Sequence, residues 1–258
     1  MIYFSLDFSY YKGQWRKKMI VWAHRGFSSK YPENTMMAFE AARDAGADGI
    51  EMDVHLTKDG EVVVIHDENL LRTTGVDKMV GDCTLSEITA IKASKTMADK
   101  FDAYVPSFDE FCAFIKESGM KANVELKTGV IYYPGIEEKV ASVVKKYGIE
   151  DKVIFSSFNP LSLVIMQRYL PECKMGFLFS NSINIKHISH LAKEVAFSYL
   201  HPDYKVISEE MLQETKACGL GINAWTINDP EEVKRLMAWG VEGTITNDPE
   251  MCLKTIGR

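Results

Sequence analysis

Short apolar runs alternate with amphipathic stretches along most of the chain. The runs are Ile20–Ala23, Gly49–Val54, Lys121–Leu126, Val153–Ser156, Met175–Phe179, Val195–Leu200, Gly221–Trp225 and Gly243–Thr246. Runs of this length separated by helical patterns are the βα signature of a parallel sheet. One further run, Val62–Ile65, follows Asp59-Gly60. That dipeptide is a strong two-residue hairpin signal, so the run must return antiparallel to the strand before it. Helix-start signals fall between the runs. Asn34 precedes Thr35-Met36-Met37, Thr84 and Ser107 each have glutamate three residues on, and Asn159 and Asp229 each precede proline. These are capping residues, capping boxes and Pro at the first helical position. Eight βα units in 258 residues predict α/β architecture of the (β/α)8 TIM-barrel type. An open doubly wound sheet is the alternative, but its usual GxGxxG turn is absent.

One interval breaks the rhythm. Between Asp67 and Val105 no barrel strand is evident, and a helix is predicted from Thr84 through about Ala93. Residues 67–105 or so read as a small insertion over the C-terminal face of the barrel, where barrel active sites lie. The barrel itself is expected over 19–258. Residues 1–18, rich in aromatics, read as an N-terminal extension without the basic start or cleavage site of a signal peptide.

Composition narrows the class. The chain is 46% hydrophobic and 26% charged, with net charge −6. That balance suits a soluble globular protein and argues mildly against non-specific nucleic-acid binding. No run is long enough to cross a membrane. The cysteines at 83, 112, 173, 218 and 252 are odd in number and scattered, with no CxxC pair. A reducing, cytoplasmic location is therefore expected.

The chemistry concentrates at predicted strand ends. Glu51 and Asp53 sit two residues apart, so they share one face of a strand. Two buried acids repel unless a cation or proton lies between them, and a hard divalent ion prefers such oxygens. A turn centred on Asp59-Gly60 would pair Lys58 with Glu61 and Asp53 with His66. Other predicted strands end in His24-Arg25-Gly26, Glu125-Leu126-Lys127, Ser156-Ser157-Phe158, His201-Pro202-Asp203 and Trp225-Thr226. A barrel gathers these ends at one rim. Three acids suit a metal, Arg25 and Lys127 suit phosphate oxygens, and two histidines suit a general acid and base. Taken singly, several of these residues have plainer readings. Asn34 is first a helix cap, Asp67 an orienting partner for His66, Arg72 a solvated residue of the insertion, and Trp225 barrel core.

The set His24-Arg25-Gly26, Pro32-Glu33-Asn34-Thr35, Glu51 with Asp53, Thr57 with Asp59-Gly60, His66-Asp67, Glu125 with Lys127, Trp225-Thr226 with Asn228, and Gly243-Thr244 with Thr246 resembles the glycerophosphodiester phosphodiesterase family. The resemblance spans about residues 20–250. It implies a TIM barrel with a small insertion and metal-dependent hydrolysis of glycerophosphodiesters to an alcohol and glycerol 3-phosphate. It further implies Glu51, Asp53 and Glu125 as ligands of one divalent cation, Mg2+ or Ca2+. His24 and His66 would be the acid–base pair, Arg25 and Lys127 would hold phosphate, and Phe158 and Trp225 would wall the glycerol pocket. One departure is Asn247, where many relatives have aspartate. As the motif caps the last helix, that change is expected to touch stability rather than chemistry. The alternatives are a lysophospholipase D-like enzyme at a membrane and a non-catalytic phospho-ligand binder. The expected partner is a small molecule, with neither nucleic acid nor stable membrane insertion, and a homo-oligomer is compatible with the sequence.

Overall fold

The computed structural model describes residues 19–181, 190, 192, 194, 195 and 197–258. The N-terminal segment set apart in the sequence lies outside them. The strands are β1 (Ile20–His24), β2 (Gly49–Leu56), β3 (Val62–Val64), β4 (Lys121–Leu126), β5 (Val153–Ser157), β6 (Lys174–Phe179), β7 (Tyr199–Pro202), β8 (Gly221–Ala224) and β9 (Gly243–Thr246). Their order is β1-β9-β8-β7-β6-β5-β4-β2-β3, and β1 also pairs with β2. All pairings are parallel except β2 with β3. The eight parallel strands thus close into a barrel, and β3 is a hairpin return that pairs with the last residues of β2, beyond the end of β1. The expected (β/α)8 architecture is what forms.

Helices between the strands cover the outer face. Thr84 and Ser107 form the full capping boxes expected of them, and Asn159 and Asp229 cap helices that begin with proline. The first helix starts one residue later than expected. Thr35 is its cap, through its hydroxyl to Ala38 N, while Asn34 is left-handed at φ 54°. The helix after Thr84 ends at Thr89, not near Ala93, because Lys92 then bridges Tyr104 in extended form. The strand expected from Val195 begins at Tyr199, since the Phe197 amide bonds Ala192 O instead of a strand neighbour. Between β3 and Ser107, short helical turns pack Leu70, Val80, Cys83, Ile88 and Val105 against Val63 and Ile65. Among the described residues no helix is long and apolar enough to cross a membrane.

The hairpin register differs from expectation. Thr57 N bonds Glu61 O at 2.9 Å and Gly60 N bonds Thr57 O at 3.0 Å, with Gly60 at φ 75°. The loop is therefore Lys58-Asp59-Gly60, a three-residue turn ending in left-handed glycine. Val54 faces Val64, and Ile65 N reaches Asp53 O at 3.1 Å. Ile65, not His66, stands across from Asp53. One extra turn residue shifts the pairing by one position.

Inside the barrel, large side chains fit only beside glycines. A Cβ at Gly49 would lie 2.5 Å from the Trp22 ring, and one at Gly176 would lie 2.4 Å from His201 Nε2. Trp22 Nε1 donates to Asn223 Oδ1 at 3.2 Å, and Asn223 Nδ2 donates to His201 Nε2 at 2.9 Å. Burial holds His201 neutral, pushing its pKa down to about 3. Gly49→Ala would force the Trp22 ring against packed neighbours. Overpacking of this kind costs about 2 kcal/mol, so the thermal midpoint is expected to drop by roughly 4–8 °C. Circular-dichroism melts check it; an unchanged midpoint would contradict this packing.

Candidate active site

Register places the acids. Glu51 on β2 lies between His24 on β1 and Asn123 on β4, while Asp53 lies beside Glu125, which lies beside Ser156 on β5. Glu51, Asp53 and Glu125 are all buried, and each presents an oxygen within 4.8 Å of the others. Two cations lean on the cluster. Lys127 Nζ is 2.9 Å from Glu125 Oε1 and 3.8 Å from Asp53 Oδ1, and Arg25 Nε is 3.4 Å from Asp53 Oδ2. Asn34, expected as a helix cap, instead donates to Asp53 Oδ2 at 2.9 Å.

The acids do not share their charge equally. Burial pushes Asp53 up, but Arg25 and Lys127 outweigh it and hold Asp53 well below the usual carboxylate range. Burial, reinforced by the Asp53 charge, lifts Glu125 to about 7 and raises Glu51 strongly as well. Without a further cation, this crowding is relieved by protons. Asp53 Oδ1 is buried without a hydrogen bond. Three convergent carboxylates with an unpartnered oxygen fit a hard divalent ion.

His24 presents Nε2 to Glu51, and His66 presents its own to Lys127. His24 Nδ1 lies 2.6 Å from Asn247 Oδ1, an atom that only accepts, so the proton sits on Nδ1 and Nε2 carries the lone pair. That Nε2 is 3.8 Å from Glu51 Oε2. His66 Nδ1 lies 2.5 Å from Asp67 Oδ1, and its Nε2 is 3.2 Å from Lys127 Nζ. His66 reaches this position despite the shifted register, because it follows β3 and curls back over the rim. Its carbonyl is gripped by His55 Nε2 at 2.9 Å, and His55 in turn by the Tyr133 hydroxyl at 3.0 Å. In the sequence, His55 is set aside as facing away from Asp53 and Tyr133 is not singled out. The signal for His55 was its position two residues beyond Asp53; none existed for Tyr133.

Two expectations need correction. Asn247 does not merely accompany a helix cap. Asp248 caps the last helix, through Met251 N, and Asn247 sits on His24. Arg72 is not a free solvated residue. It binds both Glu33 oxygens at 2.7 and 2.9 Å and Asp67 Oδ2 at 2.6 Å, while Glu33 also holds Arg25 at 2.8 Å. A chain of hydrogen bonds therefore runs Arg25–Glu33–Arg72–Asp67–His66.

His24, Arg25, Glu51, His66 and Glu125 open on a cavity of about 160 Å3, whose wall includes Phe158 and Trp225. The two rings meet edge to face with centroids 5.6 Å apart. Trp225 is anchored by Nε1 to His201 O at 2.7 Å, while Phe158 is 42% exposed and so stands at the mouth. All nine residues singled out in the sequence thus lie at one end of the barrel.

A sequence profile of the glycerophosphoryl diester phosphodiesterase family matches residues 24–251. The chain belongs to that family. A glycerophosphodiester phosphodiesterase of Caldanaerobacter subterraneus subsp. tengcongensis is 40% identical over 240 residues, covering 93% of this chain and 98% of its own. Among solved structures, an Oleispira antarctica phosphodiesterase in complex with the product sn-glycerol 3-phosphate superposes with a TM-score of 0.83 at 27% identity, covering 93% of this chain and 97% of its own. A glycerophosphodiester phosphodiesterase of Thermotoga maritima gives 0.74 at 30% identity, covering 92% and 97%.

In this member of the glycerophosphoryl diester phosphodiesterase family, two outcomes follow from the charges. A carboxyl with a raised folded pKa takes up a proton on folding. Its stability is present at low pH and lost as pH rises from about 4.5 through about 7 for Glu125. His24, pulled down to about 4 by burial and then by the Arg25 charge, acts oppositely, and its contribution is lost as pH falls below 6.5. The metal-free protein is expected to lose thermal stability between about pH 6 and 8, and a divalent cation to reverse that loss. A flat melting profile in this window would contradict the charge assignment. Arg72→Met should leave the fold intact yet cut turnover about tenfold, as loss of supporting partners around a site does. Steady-state kinetics beside a melting curve test it.

Proposed function

We propose that this protein hydrolyses glycerophosphodiesters to an alcohol and sn-glycerol 3-phosphate, with a divalent cation. One observation carries the reading. Three buried carboxylates, two cations and two histidines gather at one end of the barrel, and His24, Arg25, Glu51, His66 and Glu125 line its cavity. Glu51, Asp53 and Glu125 are the residues to hold the cation, with Mg2+ and Ca2+ both suited to their oxygens. When bound, the cation supplies charge for a phosphoryl oxygen and replaces the protons on Glu51 and Glu125.

The protein's own groups divide the remaining work. Arg25 and Lys127 take the other phosphoryl oxygens and stabilise the charge that develops there. One histidine removes the proton of the attacking hydroxyl, which belongs to water or to the 2-hydroxyl of the substrate. The other, entering the step as imidazolium, gives its Nε2 proton to the departing alkoxide. The Nδ1 partners Asn247 and Asp67 keep each Nε2 turned toward the substrate. Phe158 and Trp225 offer an apolar wall to the glycerol carbons. The relative from Oleispira antarctica with bound product supports a small three-carbon ligand in this pocket. Five unpaired cysteines support a reducing compartment, the cytoplasm.

The test is release of glycerol 3-phosphate from a panel of glycerophosphodiesters, with Mg2+, Ca2+ or chelator. Activity should vanish in chelator. His24→Ala and His66→Ala should each lose about 10²–10⁴-fold in turnover with the fold retained. Near-normal turnover in either variant, or full activity without metal, would overturn the reading.

A further inference from the structure

The barrel interior contains two polar groups of unlike character. On the β7, β8 and β1 side, His201, Asn223 and Trp22 bond one another in a line. On the β4 and β5 side, Asn123 and Ser156 bond nothing. Both amide atoms of Asn123 and the Ser156 hydroxyl are buried without a partner, and the two residues are 1% and 0% exposed. Both line the cavity of the active site, together with apolar Leu178 and Ile245. Asn123 also sits beside Glu51, and Ser156 beside Glu125, across the strands. A buried amide with neither end satisfied is costly, and folding seldom leaves one without a purpose.

The placement suggests the purpose. Asn123 is two residues below Glu125 on β4, a step of roughly 6–7 Å along the strand. That step matches the reach of a three-carbon polyol whose phosphate is held at the acids. An amide offers one donor and one acceptor side, and a serine hydroxyl offers both from one atom. Those are the partners a pair of hydroxyls requires, and the apolar side chains beside them suit the carbons between. We infer that Asn123 and Ser156 form the hydroxyl-reading floor of the pocket and select the glycerol half of the substrate. The inference rests on the proposed site for phosphate. A floor built to bond hydroxyls rejects a ligand without them, because its own polar atoms then remain buried and unpaired.

Calorimetric titration of the cation-loaded full-length protein tests it. The probes are sn-glycerol 3-phosphate and propyl phosphate, which share the phosphate and three carbons and differ in the hydroxyls. The wild type should favour glycerol 3-phosphate. Ser156→Ala and Asn123→Ala should each narrow that preference about tenfold, with propyl phosphate binding unchanged. Ser156→Ala also removes an unpaired buried hydroxyl, so its melting temperature should hold or rise. A merely structural serine would lower it. Ser156→Ala tests the inference even if Asn123→Ala fails to fold. An unchanged preference in the folded variants, or equal weakening of both ligands, overturns it. Hydrolysis of glycerophosphocholine by the wild type separates the two readings. Absent hydrolysis with a narrowed preference removes the activity and keeps the floor. Normal hydrolysis with an unchanged preference removes the floor and keeps the activity.

Discussion

Mutual repulsion among three buried carboxylates governs the architecture of this site. Parallel pairing puts Asp53 and Glu125 side by side, with Glu51 one step below on the same face. Such a cluster cannot be ionised throughout in a poorly solvated interior without opposing charge. Arg25 and Lys127 neutralise part of it and concentrate the surviving charge on Asp53. The remaining demand falls on protons or on a divalent ion. Proton uptake, folding stability and the capacity to hold a cation are thus three expressions of one unbalanced charge.

The same charge organises the loops. Arg25 needs an outer partner to stay aimed at Asp53, and Glu33 provides it. Glu33 is then shared with Arg72, which comes from the segment between β3 and β4. Arg72 returns to Asp67 and hence to His66. Isolated surface ion pairs contribute little, but a forked arginine joining two carboxylates fixes geometry as well as charge. That segment is thereby tied to the mouth of the barrel by the groups that hold the two ends of the site.

Much of this was legible in the sequence. The alternation of apolar runs required eight parallel strands, and parallel strands in a barrel place their C-terminal ends together. That rule alone gathered His24, Glu51, Asp53, Glu125, Phe158 and Trp225. What escaped depended on side chains meeting across long separations, which no local spacing encodes. Asn247 on His24, Arg72 on Glu33 and Tyr133 on His55 are of this kind. Asn34 escaped because a left-handed turn moved it off the cap and under Asp53. The hairpin register escaped because Asp59-Gly60 fits a two-residue and a three-residue turn alike. His66 tolerated that error since its place is set by the His55 grip on its backbone.

The Asn247–His24 contact joins positions separated by 223 residues. The acids, both cations and both histidines are all synthesised in the first half of the chain. The group that fixes the protonated nitrogen of His24 arrives only with the last strand, after β9 has paired with β1. A half-made barrel on the ribosome would carry the charges of the site with one imidazole unoriented. The orientation of that imidazole therefore waits on closure of the ring, so the pairing of β9 with β1 that completes the barrel also sets one nitrogen of its rim.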